Sequence, residues 1–156
     1  MTSTTTSLST SSLARLLVPR PLASRWRNAA RLAFGGFYLA MATYNTTVTL
    51  PNAAAAYKQI ADELAWPGFD WLMLHLVVPA AVPLTVLLVA FEVAVAVLVL
   101  SKGRQVRLGL LAAIAFQVGL APLISWYELG NVPLVAWALL LLARDYDHSL
   151  WDLVRR

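Results

Sequence analysis

The chain has 156 residues, of which 60% are apolar and 13% are charged, and its formal net charge is +4. Soluble domains average about 45–50% apolar and about 25% charged residues, so this composition argues against a water-soluble domain. The sequence contains no cysteine, which excludes disulfides and any cysteine-ligated cofactor. Length and apolarity together predict an all-α protein, a small helical bundle in a lipid bilayer.

The N-terminal part of the chain is polar and then basic. Residues 1–12 are rich in Ser and Thr and predict a disordered tail. Residues 13–31 contain five arginines and no acidic residue, which is typical of a cytoplasmic segment beside a membrane helix. Since the excess positive charge of the chain lies in this segment, we expect it to orient the protein rather than to bind nucleic acid.

Four apolar stretches predict a membrane domain over residues 32–146, followed by a cytoplasmic tail at 147–156. The predicted membrane helices cover about 32–50, 83–100, 108–126 and 131–146. A 19-residue helix is about 28 Å long, close to the ~30 Å hydrocarbon core of a bilayer. The fourth stretch has a short apolar part and needs Arg144 to Tyr146 to extend its helix.

The connection between the first two stretches predicts an additional helix. In Ala53–Trp66 the apolar residues recur at spacings of three and four, while the charged residues fall off that stripe. This pattern indicates an amphipathic helix lying on the outer membrane surface. The Trp66-Pro67-Gly68 sequence predicts its end.

The lysines and arginines predict the orientation. With four membrane helices and a cytoplasmic N-terminus, eleven of the twelve basic residues lie inside and only Lys58 lies outside. The positive-inside rule therefore predicts a multi-pass protein of the cytoplasmic (inner) membrane with both termini in the cytoplasm. A rival interpretation takes Ala40-Met41-Ala42 as a signal-peptidase site, but the preceding basic region is unusually long and the apolar stretch continues beyond it.

Glu92 is the most informative polar residue, because it lies near the middle of the second apolar stretch. A carboxylate at the bilayer centre costs at least ~2.5–3.5 kcal/mol, so we expect it to face the bundle interior with polar partners. Gln117 lies at matching depth, and Asn45 and Asn131 extend the predicted cluster towards the outer face. Two hypotheses stay open: a proton-coupled or ligand site, or a hydrogen bond that joins helices.

Other candidates lie near the predicted outer face. They are His75, Tyr127 and Glu128, of which Glu128 is a predicted partner of His75 or Lys58. The two histidines of the chain lie on opposite sides of the predicted membrane, so no metal site is expected. Motifs of known catalytic or phosphate-binding sites are missing from the sequence, which predicts no catalytic residue and no autonomous enzyme.

Two sets of residues resemble a known family. The run from Pro83 through Glu92 to the Ser-Lys-Gly103-Arg104 turn resembles the DoxX-like membrane proteins, and Trp126–Asn131 with Arg144–Asp147 resembles a bacterial branch of that family. The resemblance implies a four-helix membrane protein with Glu92 in the place of the family glutamate. It also implies a link to quinone-dependent membrane oxidoreductases.

The function we predict on this basis is an accessory or scaffold subunit of a membrane redox complex, with oxidoreductase subunits as partners. The sequence identifies no cofactor. A quinone or a lipid is the class of ligand that we expect. The alternative is a small transporter or proton-coupled permease that forms a homo-oligomer and uses Glu92.

Overall fold

A computed structural model of the protein describes residues 21–124 and 130–150, in which all regular secondary structure is helical. The predicted all-α class is confirmed for these residues. The predicted tail at residues 1–12, segment 13–20 and residues 151–156 lie outside them. The α-helices are α1 (Pro21–Tyr44), α2 (Ala53–Glu63), α3 (Phe69–Leu72), α4 (Ala81–Leu100), α5 (Arg104–Ile124) and α6 (Val132–Leu142).

The central contact of the fold joins α1 to α4. Hydrogen bonds from Asn45 to Glu92 and from Arg31 to Leu100 show that the two helices run antiparallel. The face that α1 buries follows a three-and-four spacing, as expected for one side of a helix. It consists of Arg31, Phe34, Tyr38, Ala42 and Asn45. This face has polar contacts near its two ends, where Arg31 donates to Leu100 and Asn45 donates to Glu92.

Helices α5 and α6 complete the core. The chain turns from α4 into α5 at Gly103, whose φ of +57° favours glycine because it has no Cβ. Gly109 on α5 lies so close to α4 that a Cβ there would be 2.8 Å from Leu98 Cβ and 3.1 Å from the Val99 backbone nitrogen. Small residues allow such close helix contacts.

Helices α2 and α3, with the turns beside them, form a second layer at the end of the bundle where α1 ends. A π-helical turn, Asn45–Thr49, and a 3-10 turn, Leu50–Asn52, join α1 to α2, which confirms the helix predicted after residue 52. The backbone N–H of Trp66 donates to the carbonyl of Pro122 on α5 at 3.1 Å. This bond ties the second layer to the bundle.

Among the helix boundaries that differ from the predicted ones are the start of α1 and the end of α6. Helix α1 is continuous from Pro21 instead of beginning at Leu32, so the last part of the predicted basic cytoplasmic segment is helical. Helix α6 ends at Leu142, and Arg144 to Tyr146 continue as irregular chain instead of extending it.

Within the described residues, two helices are long and apolar enough to cross a membrane. These are Ala81–Leu100, with a mean hydropathy of 2.6, and Arg104–Leu123, with a mean hydropathy of 1.8. In each of them 28% of the most apolar window is buried inside the protein. Helix α6 is apolar but shorter.

We expect Gly109→Ala to destabilise the protein by about 1–3 kcal/mol, because the backbone of Val99 cannot move away from the added methyl group. Gly119→Ala on the same helix is the matched control, since nothing lies within 4 Å of its Cβ position and alanine favours a helix by up to ~1 kcal/mol. The measurement is the free energy of unfolding in detergent micelles. Equal effects of the two substitutions would contradict the close α4–α5 contact.

Candidate functional site

The structure buries Glu92 and pairs it with Asn45. Glu92 on α4 is 5% exposed, and Asn45, the first residue of the π-helical turn after α1, is 6% exposed. Asn45 Nδ2 donates to both carboxylate oxygens of Glu92, at 2.8 Å to Oε1 and 3.0 Å to Oε2. A single amide nitrogen therefore connects two helices through a buried carboxylate.

The orientation of the Asn45 side chain is determined by Thr49. The Thr49 hydroxyl donates to Asn45 Oδ1 at 2.8 Å. Because the amide oxygen accepts this bond, its nitrogen faces Glu92. The two residues lie four apart within the π-helical turn that ends α1, so the local backbone places donor and acceptor together.

Other predicted members of the polar cluster have different environments. Gln117 on α5 is buried, but the described hydrogen bonds of Glu92 come from Asn45 instead of Gln117. Asn131 is half-buried and immediately precedes α6. The predicted pairing of Glu92 with Gln117 is thus replaced by one with Asn45, which lies on the helix that faces Glu92 across the core.

Of the three outer-face candidates, only His75 lies among the described residues. His75 is exposed, its Nδ1 lies 2.8 Å from the carbonyl oxygen of Trp71, and the two rings stack with centroids 4.8 Å apart. Lys58 pairs with Asp62 on its own helix. Tyr127 and Glu128 lie outside the described residues. Among the described residues, no group of three His, Asp or Glu side chains could hold a metal ion.

A second buried polar centre surrounds Arg31, which sequence reasoning assigned to the basic segment. Arg31 is 1% exposed. Its Nη2 donates to the carbonyls of Leu100 at 3.1 Å and Ser101 at 2.5 Å, and its Nη1 donates to the carbonyl of His148 at 3.3 Å. The guanidinium carbon lies 4.8 Å from the centroid of the Tyr146 ring, a cation–π contact.

These contacts satisfy the carbonyls of Leu100, the last residue of α4, and of Ser101 directly after it. The last four carbonyls of a helix have no partner within it, and a positive charge near them is favourable because of the helix dipole. The backbone N–H of Leu150 also donates to Leu100, at 3.0 Å. Arg31 thereby joins α1, the end of α4 and residues 146–150.

Tyr146 is held in place from several sides. Its hydroxyl donates to the carbonyl of Leu141 at 2.9 Å, and its own carbonyl accepts the N–H of Gly103 at 2.7 Å. Burial raises the pKa of the Tyr146 phenol, and the positive charge of Arg31 opposes that rise. The phenol therefore stays protonated at neutral pH and remains a donor to Leu141.

The signal that could have identified Arg31 is its spacing. Arg31, Tyr38 and Asn45 lie seven residues apart on one helix, and all three are buried. A residue in phase with an apolar stripe faces the core whatever its charge. Counting Arg31 with the other arginines concealed this periodicity.

Apart from Glu92, the charged residues that the structure describes lie at the two ends of the bundle. We call the end formed by residues 25–31, 101–107 and 143–150 the cationic end, because it has seven Lys or Arg residues and two Asp residues. At the opposite end, residues 45–78 contain one lysine and three acidic residues. Apolar helices connect the two ends.

Comparison of the chain with protein-family models, with curated proteins and with solved structures gave no match.

We expect Arg31→Met to lower the free energy of unfolding by about 2–3 kcal/mol, because hydrogen bonds from a charged donor to buried carbonyls are lost. Arg25→Met, at an exposed site on the same helix, should change it by less than about 0.5 kcal/mol. Amide hydrogen exchange gives a local readout, since Leu150 should lose protection in the Arg31 variant alone. Unchanged protection there would show that Arg31 does not hold the segment.

A double-mutant cycle with Asn45→Leu and Glu92→Met tests the buried polar pair. We expect a coupling free energy of about 1 kcal/mol in micelles, the magnitude found for interhelical hydrogen bonds in membranes. Thr47→Val combined with Glu92→Met is the control, because the Thr47 hydroxyl donates to Thr43 in its own helix. Additive effects of Asn45→Leu and Glu92→Met would contradict the pairing.

Proposed function

We propose that the chain is an integral membrane protein of four membrane helices, similar to the DoxX-like proteins, that serves as an accessory or scaffold subunit of a quinone-linked membrane redox complex and has no catalysis of its own. The observation that carries the scaffold role is the internal pairing of Glu92 with Asn45. The proposal that the partner is a redox complex rests on the resemblance of the sequence to the DoxX-like proteins.

The membrane location is supported by the surface of the helices. Large apolar side chains are exposed along α4 and α5, among them Val86, Leu87, Val97, Leu108, Leu111 and Val118. An apolar surface of this extent is unfavourable in water and favourable against lipid. α1 and α6 pack with these two helices and share their core, which supports counting them as the other two membrane helices.

The length of α6 affects how it sits in a bilayer. With 11 residues it is about 16 Å long, roughly half of the ~30 Å hydrocarbon core. In our proposal, local thinning of the bilayer and the residues on both sides of the helix make up the difference.

The orientation we propose places the cationic end in the cytoplasm. Seven basic residues at that end and one at the other agree with the positive-inside rule. The N-terminal part of α1 and residues 143–150 both lie at the cationic end, so the two termini are placed inside.

A scaffold role agrees with the way in which polar groups are used inside the bundle. The Glu92 carboxylate accepts both described bonds from Asn45, and the Arg31 guanidinium donates to backbone carbonyls. Both groups connect helices of the same chain. Helix connection is the role we assign to them.

Affinity purification from native membranes in mild detergent tests the scaffold role. We expect the tagged chain to copurify with subunits of a quinone-linked oxidoreductase, at a constant ratio across a salt gradient. Glu92→Gln should recover the same subunits, because the glutamine oxygen still accepts a bond from Asn45. Purification of the folded chain without any oxidoreductase subunit would overturn the proposal.

A proton-coupled permease is the second candidate, favoured by a carboxyl group buried within an apolar helix. It predicts proton flux into proteoliposomes that carry a pH-sensitive dye. Glu92→Gln should abolish this flux while the protein still inserts and assembles. The scaffold proposal predicts no flux above that of empty vesicles for either protein.

A further inference from the structure

A cavity opens at the cationic end, between the start of α5 and the segment that follows α6. Its volume is about 350 Å³. The residues that line it are Gly103, Arg104, Arg107, Asp145, Tyr146 and Asp147. Two arginines and two aspartates thus face one space.

Two of these charges, those of Arg107 and Asp145, neutralise each other. Arg107 Nη2 and Asp145 Oδ1 form an ion pair across the cavity wall. Arg104 and Asp147 are exposed and have no ion-pair partner within residues 21–124 and 130–150. The cavity therefore offers one free cation and one free anion, so its charge is complementary to a zwitterion and not to a simple anion.

An apolar surface begins directly beside Arg104. Leu108, Leu111 and Val118 follow at four, seven and fourteen residues, so they share the helix face of Arg104. Their exposed fractions are 58%, 50% and 63%. A ligand that fits this surface has a polar headgroup at the cavity and an acyl chain along α5.

We propose that this cavity and the adjoining face of α5 bind an aminophospholipid of the phosphatidylethanolamine type. Arg104 contacts the phosphate, and Asp147 accepts hydrogen bonds from the primary ammonium group. Arginine matches the geometry of phosphate oxygens, and a carboxylate pairs with an ammonium that has N–H donors. The proposal rests on the membrane location proposed above.

The two charges also define which lipids bind less well. Phosphatidylglycerol supplies the phosphate but no cation, which leaves Asp147 beside a negative headgroup. Phosphatidylcholine has a positive charge, but its quaternary ammonium has no N–H to donate. The site should therefore prefer the ethanolamine headgroup to both.

Native mass spectrometry of the delipidated, full-length protein tests the site. The protein is offered equimolar phosphatidylethanolamine, phosphatidylglycerol and phosphatidylcholine with identical acyl chains. We expect the ethanolamine lipid to be bound about fivefold more than either competitor, the magnitude of one exposed charge pair. Asp147→Asn should reduce this preference to about one.

Arg104→Gln and a matched control complete the design. Arg104→Gln should weaken binding of all three lipids, because each of them has the phosphate. Lys102→Gln removes an exposed cation that does not line the cavity and should leave the preference unchanged. Equal binding of the three lipids by the wild-type protein, or a preference that Asp147→Asn leaves intact, would overturn the proposal.

Failure of the lipid site is distinguishable from failure of the membrane proposal. Extraction of membranes with alkaline carbonate reports insertion independently of headgroup preference. A chain that resists extraction and shows no preference contradicts the lipid site alone. A chain that is extracted contradicts both.

Discussion

The end of α4 imposes the constraint on which the rest of the fold depends. The carbonyl of its last residue, Leu100, belongs to a buried residue, and leaving a buried backbone carbonyl without a donor costs about 1–3 kcal/mol. Arg31 supplies the donors for Leu100 and Ser101 from a neighbouring helix. These hydrogen bonds set the position of α1 along α4. The Leu150 N–H donates to the same Leu100 carbonyl, so the segment after α6 packs at this end of α4.

The second polar contact follows from the first through helical periodicity. Asn45 lies fourteen residues after Arg31, about 21 Å further along the same face of α1, and there it meets Glu92. Two separated polar contacts allow one register of α1 against α4, whereas the apolar side chains between them would accept several. The two buried polar contacts therefore specify how α1 packs against α4.

The sequence was informative where composition and periodicity determine the structure. The helical class, the helix after residue 52 and the helix up to Leu100 follow from apolar patterns, and the burial of Glu92 agrees with the expectation that a carboxylate on an apolar helix faces polar partners inside the protein. The pairing of Glu92 with Asn45 could not be chosen over Gln117, because depth alone does not reveal which helix faces which. The burial of Arg31 could not be predicted, because arginine is ordinarily solvated. The carbonyls to which it donates are also distant in the sequence, with Leu100 69 positions and His148 117 positions further along the chain.

The central claim is that the bundle crosses the membrane with its cationic end on the cytoplasmic side. Because the chain has no cysteine, single cysteines introduced at the exposed Lys58 and Lys102 report the two ends cleanly. A membrane-impermeant maleimide added to intact spheroplasts should label Lys58→Cys at once and Lys102→Cys only after permeabilisation. Labelling of both positions from the same side would contradict the account.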